Sequence, residues 1–165
     1  MTPDAGHAEL IRGFYAAFAR RDHQTMAACY APDARFSDPV FTDLAGARVG
    51  AMWQMLCERG KDLRVEVSGL TADANTGAAH WEAYYTFSAS GRPVHNVIEA
   101  SFEFAGGKIR RHTDRFDLYA WARQALGLKG LLLGWTPFVQ KAIRAQAARG
   151  LDAFIAKRGP GPGTP

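Results

Sequence analysis

The chain has little of what marks a specialised protein. Only two of its 165 residues are cysteines, Cys29 and Cys57. No CxxC spacing joins them, so two buried reduced thiols are expected in preference to a redox pair. No apolar run approaches the roughly 20 residues that a membrane-spanning helix needs. The opening Met1–His7 is polar and no apolar stretch follows it, so no secretory leader is predicted and a cytoplasmic setting with reduced thiols is expected. An excess of one charge is also lacking: 20 Lys and Arg stand against 16 Asp and Glu, a formal net charge of +4. The basic residues are scattered, with no run of five or six and no nucleic-acid motif, so a nucleic-acid partner is not expected. There is no internal repeat and no sign of a second domain.

What is there is an ordinary globular balance, 47% hydrophobic and 22% charged, with a rich aromatic content that includes ten Phe and four Trp. Many large rings in a small chain suit a core, or a cavity with flat apolar walls. Helical spacing of Leu10, Ile11, Phe14, Ala17 and Phe18 predicts a helix over 7–21. Asp22 is a plausible cap for a short second helix, Gln24–Tyr30, ended by Ala31-Pro32-Asp33. A short strand is expected over 34–38. A third helix follows over about 45–58, closed by Gly60.

The period then changes to two. Strands are predicted over 63–70, 78–88, 94–104 and 109–119, separated by turn-forming stretches at 73–77, 89–93 and 105–108. Helices followed by an antiparallel meander imply an α+β domain whose sheet curls around the helices. Gly127 and Gly130 bracket an apolar stretch, 128–135. Pro137 can open a last helix to about Ala156, anchored by Phe138, Ile143, Leu151 and Phe154. The organisation expected is one domain over 1–120, a helical extension of it over 121–157, and a Gly/Pro-rich disordered tail over 158–165.

Several stretches carry a family likeness: Tyr15-Ala16-Ala17-Phe18-Ala19-Arg20-Arg21-Asp22, Ala34 to Val40, Phe102-Glu103-Phe104 with Gly106-Gly107-Lys108-Ile109, and His112 to Asp117. On these, residues 7–119 resemble the nuclear transport factor 2-like superfamily, the cone-shaped α+β fold shared by ketosteroid isomerases and SnoaL-like polyketide cyclases. The resemblance implies that Asp38 sits where the steroid isomerases keep their general base. Their oxyanion tyrosine matches Phe14 here, with Tyr15 about 100° around the helix. Their protonated aspartate matches Ala100, with Glu99 facing the other way. Both oxyanion donors are therefore absent, which argues against true ketosteroid isomerase chemistry. His112 and Asp114 match the acid/base pair of the SnoaL-like cyclases better.

Strand parity gives the inward faces. Trp81, Ala83, Tyr85 and Phe87 share one; Asn96, Ile98, Ala100 and Phe102 another; His112, Asp114, Phe116 and Leu118 a third. A bulge would reverse any of these. The expected catalytic set is Asp38, His112 and Asp114. The expected ligand-binding set is Phe14, Tyr30, Trp53, Trp81, Tyr85, Asn96 and Phe116. Few polar groups among apolar walls are the makeup of a small-molecule site. A metal would need three clustered ligands; Asp38, His112 and Asp114 could supply them, but acid/base chemistry without metal or cofactor is the reading preferred. Trp121 and Trp135 are expected to pack the C-terminal helix.

The expected activity is a cofactor-independent acid/base reaction, an isomerisation, cyclisation or dehydration of a hydrophobic small molecule, in a homodimer without stable membrane insertion. The alternatives are a non-catalytic small-molecule or lipid-binding module, an interaction protein whose cone is filled by its own side chains, and an epoxide hydrolase-like enzyme. The last is disfavoured because Arg115 is expected to face out. The 120–157 segment is read first as a lid or dimer contact, and only then as a helix lying on a membrane surface.

Overall fold

The computed structural model describes residues 2–159. Helix α1, Ala5–Ala19, begins where the Asp4 carboxylate accepts from the His7 N–H at 2.9 Å. Helix α2, His23–Ala28, is capped in the same way by Asp22 on the Thr25 N–H. These carboxylates satisfy N–H groups that the first helical turn leaves unpaired. Strands β1, Tyr30–Ser37, and β2, Leu44–Ala45, precede helix α3, Ala47–Arg59. Then come β3, Arg64–Ala72; β4, Thr76–Phe87; β5, Arg92–Ala105; and β6, Lys108–Arg115. Three helices close the chain: α4, Leu118–Leu126; α5, Leu128–Leu133; and α6, Pro137–Arg158.

The six strands form one curved, open sheet in the order β2-β1-β6-β5-β4-β3. β3 to β6 are the expected antiparallel meander, but β1 pairs with β6 in parallel, so the sheet is mixed. Tyr30 was expected to end a helix and instead starts β1 opposite Ile109. Pro32 falls in the gap where that ladder skips from Tyr30 to Arg35, a place where its missing N–H costs no ladder bond.

The last strand stops at Arg115, short of the expected Tyr119, because the Asp117 carboxylate caps α4 by accepting from the Ala120 N–H at 3.0 Å. Arg158 belongs to α6, where it pairs with Glu58. Residues 160–165 of the expected tail lie outside the described residues.

The core fills the concave side of the sheet. Ile11, Phe14, Tyr15 and Phe18 of α1 and Met52, Trp53 and Met55 of α3 are almost fully buried there. α1 approaches β4 closely at Gly77, where a Cβ would stand 2.8 Å from the Ile11 Cδ1 and press on the side-chain tips of Ile11 and Phe104. Both cysteines are free and buried. α6 is tied to the body by the Arg144 Nε–H donating to the Pro39 carbonyl at 2.8 Å and by Arg48 with Asp152. No helix among the described residues is long and apolar enough to cross a membrane.

Candidate active site

A cavity of about 370 Å³ opens between the concave sheet face and helices α3, α4 and α6. Its walls are mostly apolar, including Trp53, Trp81, Phe116 and Trp121. Asp38, Tyr85, Asn96 and Asp114 bring polar atoms to it. An ordinary small-molecule pocket has this size and makeup.

Asp38 sits at the end of β1. Its Oδ1 accepts from the backbone N–H groups of Val40 at 2.7 Å and Phe41 at 2.5 Å, and its own N–H donates to the Phe41 carbonyl at 2.8 Å. The turn thus engages one carboxylate oxygen, and Oδ2 has no hydrogen-bond partner among the described residues. Burial pushes the Asp38 carboxyl up to about 7, and the negative charge of Asp114 adds to the rise against the two backbone bonds that oppose it. A carboxyl that titrates near neutrality can both take and return a proton.

Asp114 reaches the cavity from β6. Its Oδ1 accepts from the His112 Nε2–H at 2.8 Å and the Trp81 Nε1–H at 3.4 Å. Behind it the chain of bonds continues: Tyr30 O–H donates to His112 Nδ1 at 2.7 Å, and Trp53 Nε1–H donates to the Tyr30 oxygen at 2.9 Å. Donor counting assigns the tautomer. The indole can only donate, so the Tyr30 hydrogen points to Nδ1, and a neutral imidazole protonated on Nε2 satisfies every partner. His112 is fully buried and Asp114 is 3% exposed. A buried polar chain is tolerated when each member is paired, as these are.

The expected site residues thus fall into two layers. Asp38, Asp114, Trp53, Trp81, Tyr85, Asn96 and Phe116 line the cavity. Phe14, Tyr30 and His112 do not line it. Phe14 packs edge-on against Tyr30, Trp53 and His112. Both His112 nitrogens are engaged, by Tyr30 and by Asp114, and the Tyr30 hydroxyl is engaged by Trp53 and His112. Tyr15 also points into the core, and its hydroxyl is buried without a partner; burial foremost, then the charge of Asp114, holds it well above the usual phenol range. Arg115 is exposed on the opposite sheet face.

Trp121 was expected to pack the C-terminal helix. It lines the cavity instead, and its Nε1–H donates to the Tyr85 oxygen at 2.8 Å. The signal that could have found it is Asp117, a helix cap placed before Leu118, Trp121, Ala122 and Ala125 at helical spacing. That bond leaves the Tyr85 hydrogen free to donate. Burial raises the Tyr85 phenol first, the indole bond opposes this, and the Asp38 charge adds to the rise. Among the described residues no three His, Cys or carboxylate side chains stand together as a metal site.

The model of the SnoaL-like domain matches residues 11–112. The chain belongs to the SnoaL-like domain family. No curated protein matches this SnoaL-like chain. Among solved structures it is similar to an LEH-like epoxide hydrolase from M. tuberculosis (20% identity, TM-score 0.61, covering 78% of this chain and 96% of that one). It is similar to a candidate polyketide cyclase from Pseudomonas putida (23%, 0.63, 72% and 97%). It is also similar to a protein of ketosteroid isomerase-like fold from Catenulispora acidiphila, solved with trimethylamine (14%, 0.65, 78% and 98%). At these identities the likeness is one of fold, and a fold of this kind hosts unrelated functions.

Proposed function

We propose that this SnoaL-like protein is a cofactor-independent acid/base enzyme acting on a hydrophobic, carbonyl-bearing small molecule in the cavity. The observation that carries the reading is that Asp38, with Oδ2 unpaired among the described residues and its carboxyl pushed up to about 7 by burial, shares one apolar cavity with the Tyr85 O–H that Trp121 leaves free. Asp38 as carboxylate removes a proton from the carbon next to the carbonyl. The C–H electron pair moves into the new C=C bond and the carbonyl pair onto oxygen. Tyr85, whose oxygen already accepts from Trp121, donates its hydrogen to that oxyanion. The Asp38 proton then returns to another carbon, or goes to the alkoxide formed when the enolate closes a ring on a second carbonyl, or joins a β-hydroxyl that the enolate expels as water. Isomerisation, cyclisation and dehydration share this first step.

Asp114, oriented by His112, Tyr30 and Trp53, keeps a second carboxylate in the cavity whose charge adds to the rise that burial gives Asp38. Tyr85 thus takes the place of the oxyanion donors missing at Phe14 and Ala100. Epoxide hydrolysis would need an arginine between the two aspartates, and Arg115, on the outer face, does not serve.

The test needs no known substrate. A panel of hydrophobic cyclic ketones in D2O is followed by NMR for exchange of the α-hydrogens. The intact protein accelerates exchange for ligands that fit; Asp38→Asn lowers the rate about 100-fold or more, and Tyr85→Phe lowers it without abolishing binding. Ligands that bind with no exchange by the intact protein would reduce the chain to a binding module.

We assign the chain to the cytoplasm, as a homodimer paired through the outer face of β4 and β5. There His80 meets Glu99, His95 meets Glu82, and the Tyr84 ring stacks on His95 at 4.2 Å. An ordered polar and aromatic face of this kind suits a subunit contact.

A further inference from the structure

Six large apolar side chains stand in solvent within 128–138: Leu128 at 70% exposure, Leu131, Leu132, Leu133, Trp135 at 63% and Phe138 at 83%. Phe138 and Trp135, expected to anchor the C-terminal helix, face outward. Helix α5 reverses the usual arrangement. Its one buried residue is Gly130, laid against the Ala122 backbone of α4, and its leucines point away. An exposed apolar cluster of this density marks a contact with something else.

The charge along this stretch of chain has one sign. From Leu118 to Leu151 there are five basic residues, Arg123, Lys129, Lys141, Arg144 and Arg149, and no Asp or Glu. None of Arg123, Lys129, Lys141 and Arg149 has an ion-pair partner among the described residues. A second cleft beside α5 is lined by Arg92 and Arg123 together with Leu128 and Leu131, so cationic and apolar groups share one surface.

We propose that the α4–α5–α6 junction docks on an anionic lipid surface, with the leucines, Trp135 and Phe138 entering the interface and the flanking Lys and Arg meeting lipid phosphates. Leu, Trp and Phe bordered by Lys are the composition that lies at a bilayer boundary. A second copy of the chain fits less well. A stable dimer contact takes about 800 Å² and roughly 20 to 30 residues from each partner, and this cluster lies within residues 128–138. Pairing it with itself would also bring two surfaces of the same charge together, whereas an anionic bilayer complements both features. The same segment gives Trp121, Leu126 and Ile143 to the cavity wall, so docking brings the cavity to the bilayer. The docking stands apart from the chemistry proposed above.

The test is flotation of the purified full chain with vesicles of phosphatidylcholine alone and of phosphatidylcholine mixed with phosphatidylglycerol, at low salt, read together with tryptophan emission. Trp53, Trp81 and Trp121 are buried and Trp135 is exposed, so a blue shift on vesicle addition that Trp135→Ala removes reports that residue entering lipid. The expected result is binding to the mixed vesicles that weakens with salt. Lys129→Gln with Lys141→Gln should lower it about 25-fold, at roughly fivefold for each charge near the surface. Trp135→Ala with Phe138→Ala should lower it with the thermal transition unchanged. Absence of binding to the mixed vesicles overturns the proposal. So does binding that neither double variant weakens. A dimer that Trp135→Ala with Phe138→Ala converts to monomer, without vesicle binding, would assign the patch to a second copy.

Discussion

Asp38 shows how far one residue's surroundings can move its chemistry. A carboxyl beside a proline commonly just turns the chain, and Oδ1 of Asp38 does that on Val40 and Phe41. Burial then acts on the whole group and carries it to about 7. The sign for stability follows. The folded state holds the Asp38 proton more tightly than the unfolded chain, whose Asp titrates near 3.9, so unfolding releases a proton between these values. The stabilisation is complete below about pH 4 and is lost as pH rises through about 7. Asp38→Asn, which keeps an acceptor for the turn, should therefore stabilise the protein by about 2 to 4 kcal/mol at pH 8 and barely at all at pH 4. Urea unfolding of both proteins at the two pH values checks this. An equal gain at both would assign the effect to packing.

At the scale of elements, α4 and α5 decide where the cavity ends. Their packing depends on Gly130, which has no side chain to keep the helices apart. A Cβ there would land on the Ala122 carbonyl oxygen, a backbone atom that cannot swing aside. Gly130→Ala, ordinarily a gain of up to about 1 kcal/mol within a helix, should here cost stability and loosen α4. Trp121 would move with it and the Trp121–Tyr85 bond would break. A lower thermal midpoint with a red-shifted tryptophan emission is the expected signature; an unchanged midpoint would mean that α5 sits elsewhere.

For the whole molecule, the two faces of the sheet differ in chemistry. The concave face carries the cavity and the buried chain from Trp53 to Asp114. The outer face carries Tyr84, His80, His95, their glutamates and the exposed Val97. The proposed pairing through that face would leave the cavity and the α5 patch free. Val97→Arg should therefore give a monomer in sedimentation velocity, with ketone binding retained. A Val97→Arg protein that sediments like the parent would place the subunit contact elsewhere, or exclude one.

Local pattern by itself determined much of this protein. Apolar spacing and turn residues specify the first three helices and the antiparallel meander, because they depend on neighbours a few positions apart. Period-two alternation put Trp81, Tyr85, Asn96 and Asp114 on the cavity side, and the likeness over 7–119 pointed to Asp38. Tertiary structure decided the rest. Ile109 and His112 are both fully buried although strict alternation would separate them. The ladder slips between Glu103 and Phe104, and Arg110 and Arg111 both stay outside. That bulge depends on pairing with β5 and β1, so no pattern within β6 announces it. The same holds for the layering of the site. Phe14, Tyr30 and His112 all face inward, His112 as parity requires, yet they stand behind the cavity wall, because depth depends on what α1 and α3 lay over them. The wall supplied by Trp121 likewise exists only after Asp117 has turned the chain back across the mouth of the sheet.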